Sequence, residues 1–257
     1  TLRIRARHVV LSCGSLLTPH LLGENGIRLH HIGRNLSVHP GFWASGLTDE
    51  SLAPWHAIPQ GYGVRGFEHE GLCFEGIYLP PQLFTSTCPF VGKRLTHWMD
   101  RFDQIAQFGF MVRDDNVGRV RRDAAGKPLV VYSLGPETVR RLAKGASIVA
   151  EILLRGGARE VLLSMGPGNT VDSIEGARAL IDAPISAMEF ALLGAHPLAT
   201  CRMGKTADDG VVDFEHRVFG TENLYIADGS VIPTSLGVNP QITIMSLASM
   251  LSSSLIA

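Results

Sequence analysis

Two short apolar runs, one near each end of the chain, both break at a glycine and lead into a helix. His8-Val9-Val10-Leu11-Ser12 is closed by Gly14 and reads as a buried strand. Thr18-Pro19 follows as a helix cap with proline at the first helical position, and the predicted helix carries Leu21 and Leu22 and ends near Gly26. Near the other end, Leu224-Tyr225-Ile226-Ala227 is a strand broken by Asp228-Gly229. Pro240 then opens a last helix with Ile244, Leu247, Ala248, Leu251 and Leu255 on one face. Strand–turn–helix units of this kind line nucleotide sites in α/β sheets, which bind ligands at strand ends.

Between these ends the pattern changes. From Gly41 to about Phe110 it is irregular and rich in Gly, Pro and aromatic residues. Phe108 to Val112, Arg119 to Arg122 and Pro128 to Tyr132 read as antiparallel strands, with turns at Asp114-Asp115-Asn116 and Ala125-Gly126. Pro136 to Arg155 is a helix with Val139, Leu142, Ala146, Val149 and Leu153 in one stripe, ended by Gly156-Gly157. Val161-Leu162-Leu163 suits a strand, and Ser173 to Ile181 a helix capped by Asp172 or Ser173. Gly61-Tyr62-Gly63-Val64-Arg65-Gly66 matches the dinucleotide fingerprint G-x-G-x-x-G. However, Pro54 and Pro59 interrupt the strand that should precede it, and Gly71 falls where its helix should run, so the stretch reads as a loop and carries no NAD assignment.

Composition narrows the function classes. The 257 residues are 45% apolar and 18% charged, enough for one large domain or two small ones with a sizeable core. A net charge of -1 gives no electrostatic reason to expect nucleic acid or an anionic membrane, and no apolar run is long enough for a bilayer span. Cys13, Cys73, Cys88 and Cys201 form no CxxC pair, which leaves neither a zinc site nor a disulfide framework and suits a reducing, cytoplasmic compartment. His30-His31 and His56 lack partners at metal-ligand spacing, so no metal is expected. No G-x-S-x-G is present for a serine hydrolase. Cys201 suits packing, and Asn35-Leu36-Ser37 is a glycosylation sequon by pattern.

The chemistry is concentrated in the last sixty or so residues. They hold His196-Pro197-Leu198-Ala199-Thr200-Cys201-Arg202-Met203-Gly204, then Val211-Val212-Asp213, Arg217-Val218-Phe219-Gly220 and Asn223-Leu224-Tyr225-Ile226-Ala227-Asp228-Gly229-Ser230. Pro233-Thr234-Ser235 and Gly237-Val238-Asn239-Pro240-Gln241-Ile242-Thr243 close the set. In order and spacing these blocks resemble the glucose-methanol-choline (GMC) oxidoreductases. Ala6-Arg7-His8-Val9-Val10-Leu11-Ser12-Cys13-Gly14-Ser15-Leu16-Leu17-Thr18-Pro19 is similar to that family's second signature, although Asn25 and Arg28 stand where it usually has Ser and Gly. Ile32-Gly33-Arg34-Asn35-Leu36-Ser37-Val38-His39-Pro40 is similar to the stretch that follows.

The resemblance implies an α/β (α+β overall) chain. Part of it is a split FAD-binding doubly wound domain, residues 1–40 and 213–257, and residues 41–212 are an antiparallel-sheet substrate domain that includes the histidine motif. It implies oxidation of a CH–OH group with FAD as hydride acceptor. The first half of the family, with its βαβ unit and true G-x-G-x-x-G, is expected to lie outside this chain, and to be its partner. His196 would be the base, since imidazole titrates near neutral pH and the following proline holds it extended. A packed core histidine is the alternative. Asn239 would hydrogen-bond the substrate oxygen, or cap the last helix.

The first-turn N–H groups of that helix, from Pro240 through Gln241 and Ile242 to Thr243, would face the flavin pyrimidine and favour its anionic reduced form by up to ~1 kcal/mol. Asp228 and Gly229 would contact FAD near the ribityl or pyrophosphate, or form a plain turn, and Gly14 and Ser15 would pass close to the cofactor, or simply make a strand–helix turn. The apolar and aromatic residues between Trp43 and Phe110 suit a lipophilic alcohol or a sterol, as loops over any buried pocket would. Rival readings are a flavin-containing lyase using the same histidine, and a non-catalytic fragment that cannot hold FAD alone. The reoxidant, whether O2, a quinone or a cytochrome, is left open.

Overall fold

The computed structural model describes residues 2–56, 58–115, 118–165 and 170–256. The elements run in the order β1 (Val9–Leu11), α1 (Gly14–Glu24), β2 (Gly41–Leu47), β3 (Gly63–Val64), β4 (Leu72–Gly76), α2 (Pro81–Thr87), α3 (Lys93–Met99) and β5 (Ile105–Val112). They continue with β6 (Arg119–Arg122), β7 (Pro128–Val131), α4 (Pro136–Arg155), β8 (Glu160–Leu163), β9 (Thr170–Val171), α5 (Ile174–Ala179), β10 (Leu224–Ile226) and α6 (Gln241–Ile256). The chain divides into two compact units, one of Thr1–His39, Asp114–Leu134 and Gly194–Ala257, the other of Pro40–Arg113 and Gly135–Leu193. These cuts differ from the expected segments: residues 114–134 and the His196 motif group with the two chain ends rather than with the middle.

The second unit is built on an antiparallel sheet of order β3-β4-β5-β2-β8-β9. Its central strand β2 is buried on both faces, which is why its sequence, Gly-Phe-Trp-Ala-Ser-Gly-Leu, carries no apolar–polar alternation. Trp43 and Leu47 point to one face, where with Ile105 and Leu162 they meet Phe84 of α2, Trp98 of α3, and Phe102. On the other face Phe42 and Phe110 pack ring against ring, and α4 lies across β2, β5 and β8. The period of α4 is the one its sequence predicts, and Leu142, Ala146, Val149 and Leu153 are all buried. Ser173 caps α5 by accepting the Gly176 N–H. The Gly61–Gly66 stretch holds only the two-residue β3 and is followed by a single 3-10 turn, Glu68–Glu70, so it lacks the helix that a dinucleotide site requires.

In the first unit β1 and β10 pair in parallel, joining Val9 to Leu224 and Leu11 to Ile226. A core of Leu22, Cys201, Val211, Val212, Val218, Ile226 and Val231 lies among α1, β10 and the intervening loops. Burial raises the Cys201 thiol well above its ordinary value, in keeping with packing rather than nucleophilic chemistry. Three sequence expectations change here. β6 and β7 form their own hairpin, while β5 joins the six-stranded sheet instead of pairing with β6. Asp114 is a buried acceptor rather than an open turn residue, and Asn116 lies outside the described residues. Finally, α1 starts at Gly14, so Pro19 sits inside the helix and Thr18 is not its cap.

The close approach of α4 to the sheet depends on Gly145. A Cβ there would fall 2.2 Å from Cε2 of the Phe110 ring. Gly145→Ala should therefore destabilise the fold by about 1–3 kcal/mol through overpacking, although alanine is the better helix former. Denaturant unfolding of the variant measures this, and an unchanged or raised midpoint would show that the ring yields freely.

Candidate functional site

Within the first unit, Asp228 at the end of β10 holds the start of α1. Its carboxylate accepts the Gly14 N–H at 3.0 Å, the Thr18 hydroxyl at 2.6 Å and the Ser230 N–H at 2.8 Å. Gly14 has φ +77°, a left-handed conformation that favours glycine, and no atom lies within 4 Å of where its Cβ would be. The buried proline is accommodated by the same cluster. Pro19 has no N–H to give the Ser15 carbonyl, and that carbonyl accepts the Thr200 hydroxyl instead, at 2.6 Å. The Ser15 hydroxyl donates in turn to the Pro197 carbonyl at 2.5 Å. These bonds seat the His196-Pro197 segment against the α1 turn.

The same segment is held from its other side. Ser37 and Leu198 exchange backbone hydrogen bonds at 2.8 and 3.3 Å. Ala199, Cys201 and Met203 donate their N–H groups to the carbonyls of Gly229, Ser230 and Val231. Ala199 has φ +71°, a strained conformation for a residue with a side chain. Gly229 is required by packing, since a Cβ would meet Leu198 Cδ2 at 3.0 Å and the Pro197 carbonyl at 3.2 Å. Leu198, Ala199 and Ile232 cluster with Leu236, and with Ile244 and Leu247 of α6. Pro240 is buried and Asn239 exposed, and Gln241 and Ile242 in the first turn of α6 are also exposed. Ile244 donates its N–H to Pro240, so the N–H groups of Gln241, Ile242 and Thr243 precede the first intrahelical bond.

Two residues that composition and motif reading left without a role sit at the centre. His39 is 1% exposed, and its Nε2 accepts the N–H groups of Leu236 and Gly237 at 3.0 and 3.1 Å. Its ring lies edge-on to that of His196, with centroids 5.5 Å apart. Asp114 accepts the hydroxyls of Ser37, Ser235 and Tyr132 and the N–H of Val38. Burial alone would raise its pKa, but the donors together outweigh burial and hold the carboxyl below its ordinary value. Burial and the neighbouring carboxylate both push the Tyr132 phenol up. His39 is lowered from its ordinary 6.5 to about 4, mainly by burial, with Asp114 opposing and His196 adding to the shift. His39 was visible in the sequence only as a member of a motif block, and Asp114 only as a turn former. Their partners are distant in the chain: Ser235 lies 121 residues from Asp114.

Residues 114–248, more than half of the chain, match the C-terminal model of the GMC oxidoreductases, and residues 1–41 match the N-terminal one. The chain belongs to the GMC oxidoreductase family. An uncharacterized GMC-type oxidoreductase of Mycobacterium tuberculosis is 32% identical over 96% of the chain, which covers 39% of that relative. A long-chain-alcohol oxidase of Arabidopsis thaliana is 29% identical over 96% of the chain, covering 35% of that protein. The crystal structure of pyridoxine 4-oxidase from Mesorbium loti shares the fold, with a TM-score of 0.69 at 19% identity over 96% of this chain and 51% of that one. The chain thus spans from about a third to about half the length of these family members.

The second unit contains its own cavity of about 480 Å³. Leu52, Ile58, Ile77, Ile105 and Phe108 give it an apolar wall, and Gln107 and Tyr78 supply polar groups.

His39 sets a pH dependence. Its folded pKa of about 4 lies below its unfolded value, so the unfolded chain binds the extra proton first. Stability from this residue should be complete above pH 6.5 and fall on acidification towards about 4, by on the order of 3 kcal/mol. Denaturation midpoints across that range should slope in the native protein and flatten at this step in His39→Gln. Identical slopes would assign the acid sensitivity to other groups.

Proposed function

We propose that the protein is an FAD-dependent oxidoreductase of lipophilic alcohols, with His196 as the base that removes the hydroxyl proton. One observation carries this reading: in a chain of this family, the His196 motif, the Asp228 turn, the loop before Asn239 and the start of α6 belong to one hydrogen-bonded and packed cluster within a single unit. The residues present fit part of a flavin site. Gly14 leaves open space above its backbone, and the exposed first turn of a 16-residue helix offers N–H groups to an electron-rich ring. When bound, FAD supplies the acceptor for the hydride that leaves the alcohol carbon.

The chain's own residues do the rest. His196 accepts the hydroxyl proton as the oxygen becomes a carbonyl. The Asn239 amide donates to the same oxygen and orients the carbon-bound hydrogen. Gly14 and Ser15, with Asp228 and Gly229 behind them, would form the wall against which the cofactor rests. Gln241 and Thr243, with Pro240 setting the helix start, would point their end of the helix dipole towards it. In the complete gene product, His196→Ala should keep its flavin bands and lose about 10²–10⁴-fold in kcat for alcohol oxidation. Turnover within threefold of the native protein would remove His196 from the role of base.

The similarity to long-chain-alcohol oxidases supports a lipophilic substrate. Each methylene transferred from water into an apolar wall is worth up to ~0.8 kcal/mol, so kcat/KM should rise up to about fourfold per added carbon along a series of primary alcohols. A series with equal kcat/KM at every chain length would remove the lipophilic tail from recognition.

A further inference from the structure

The imidazole of His196 has a second, fully buried imidazole at its edge, and the bonds made by that second ring define its state. His39 Nε2 lies within 3.1 Å of two backbone nitrogens, those of Leu236 and Gly237. A ring nitrogen that accepts two N–H bonds carries no proton, so His39 is a neutral imidazole with its hydrogen on Nδ1. Its lowered pKa agrees. The two N–H donors belong to the loop that runs into Asn239 two residues later.

A second clamp joins the same pieces of chain. Asp114 takes the Ser37 hydroxyl and the Val38 N–H from the segment that leads into His39. It takes the Ser235 hydroxyl from the residue before Leu236, and Ser235 Oγ in turn accepts the Asp114 N–H at 3.1 Å. Segments 37–39 and 235–237 are thus tied twice, once through a carboxylate and once through an imidazole. His39 adopts φ +46° to bring its ring to this position, a conformation uncommon for a residue with a side chain.

We propose that His39 is the positioning residue of the oxidation site: its neutral imidazole accepts two N–H bonds that fix the loop bearing Asn239, while its ring edge sets the orientation of the His196 imidazole. This rests on the reading of His196 and Asn239 as the base and the substrate-orienting amide. The two groups must meet one substrate oxygen from different segments of chain, and a displacement of about 1 Å between them is enough to cost on the order of 100-fold in rate. Losing the acceptor leaves two N–H groups unpaired and frees the loop to turn towards other partners. Protonating His39 would do the same and would also place a cation beside the base.

The test compares the complete, flavin-loaded protein with His39→Leu and His39→Gln, using a long-chain primary alcohol. Leucine has nearly the right size and no acceptor, whereas the Oε1 of glutamine can stand where Nε2 stood. The expected result for His39→Leu is a kcat lowered by about 30- to 100-fold, with KM within about threefold and flavin content unchanged. His39→Gln should stay within about fivefold of the native kcat. An independent readout is the nitrogen-15 spectrum of histidine-labelled native protein, with the His39 signals assigned by their loss in His39→Gln. It should show Nε2 as an unprotonated acceptor and the hydrogen on Nδ1.

A His39→Leu protein with native kcat, equal losses in the two variants, or a His39 protonated at Nε2 would overturn the proposal. Should His39→Leu fail to fold, a loss of more than about thirtyfold in His39→Gln would overturn it as well, since the retained acceptor would then not suffice. Persistence of turnover in His196→Ala refutes the base instead, and leaves the tautomer of His39 as a separate reading.

Discussion

The carboxylate of Asp228 binds the N–H of Gly14, the hydroxyl of Thr18 and the N–H of Ser230, and so joins residues 214 positions apart in the chain. Hydrogen bonds to a charged group contribute about 1.5–3 kcal/mol each, and a carboxylate this buried is stable only if such donors surround it. The parallel pairing of β1 with β10 places the two strand ends side by side, and the acid then fixes the turn that leaves one of them. Everything at the candidate site follows from that seat. The Ser15 hydroxyl reaches Pro197, Thr200 reaches the carbonyl that Pro19 leaves without a donor, and the histidine motif is stretched between them.

Asp114 repeats the arrangement with a different set of donors. Its four partners come from residues 37, 38, 132 and 235, so one buried charge gathers three separated stretches of sequence. Buried polar networks of this kind specify one arrangement, because any slip leaves a charge or an N–H without a partner. The cost of such precision is a dependence on protonation state, and His39 and Asp114 both favour the higher-pH form. Two acids and an imidazole thus tie together the separated stretches of the first unit, around its apolar core.

What could be read from the sequence divides along the range of the interactions. α4 was legible to its end residues, because a 20-residue amphipathic stripe bounded by Gly135-Pro136 and Gly156 depends only on near neighbours. The Ser173 cap and the β10 break at Asp228 were equally local. β2 was not legible, because a strand covered on both faces has no alternation to find. The partner of β5 was misjudged because the short turn-rich stretch after Val112 looks like a hairpin, while its true neighbours β2 and β4 lie far upstream. Pro19 read as a helix start because proline is usually found there, and only the Thr200 hydroxyl explains its place inside α1. The motif blocks named the candidate site residues. They could not show that His39 and Asp114 draw those segments together, because Leu236, Gly237 and Ser235, to which they bond, lie more than 100 residues away in sequence.

The division of the sequence between the units has a consequence for biosynthesis. The second unit is contained in residues 40–113 and 135–193, so every strand of its sheet has left the ribosome before β10 is made. The first unit cannot close until residues 223–240 have emerged, because β1, Gly14 and His39 all await partners there. Contacts of such long separation form slowly and carry a large loop-closure cost. Until then β1 and the turn after it remain unpaired, with the apolar residues of the N-terminal segment in water. The nascent chain is thus vulnerable to aggregation at β1 for the whole time that translation takes to pass from there to β10.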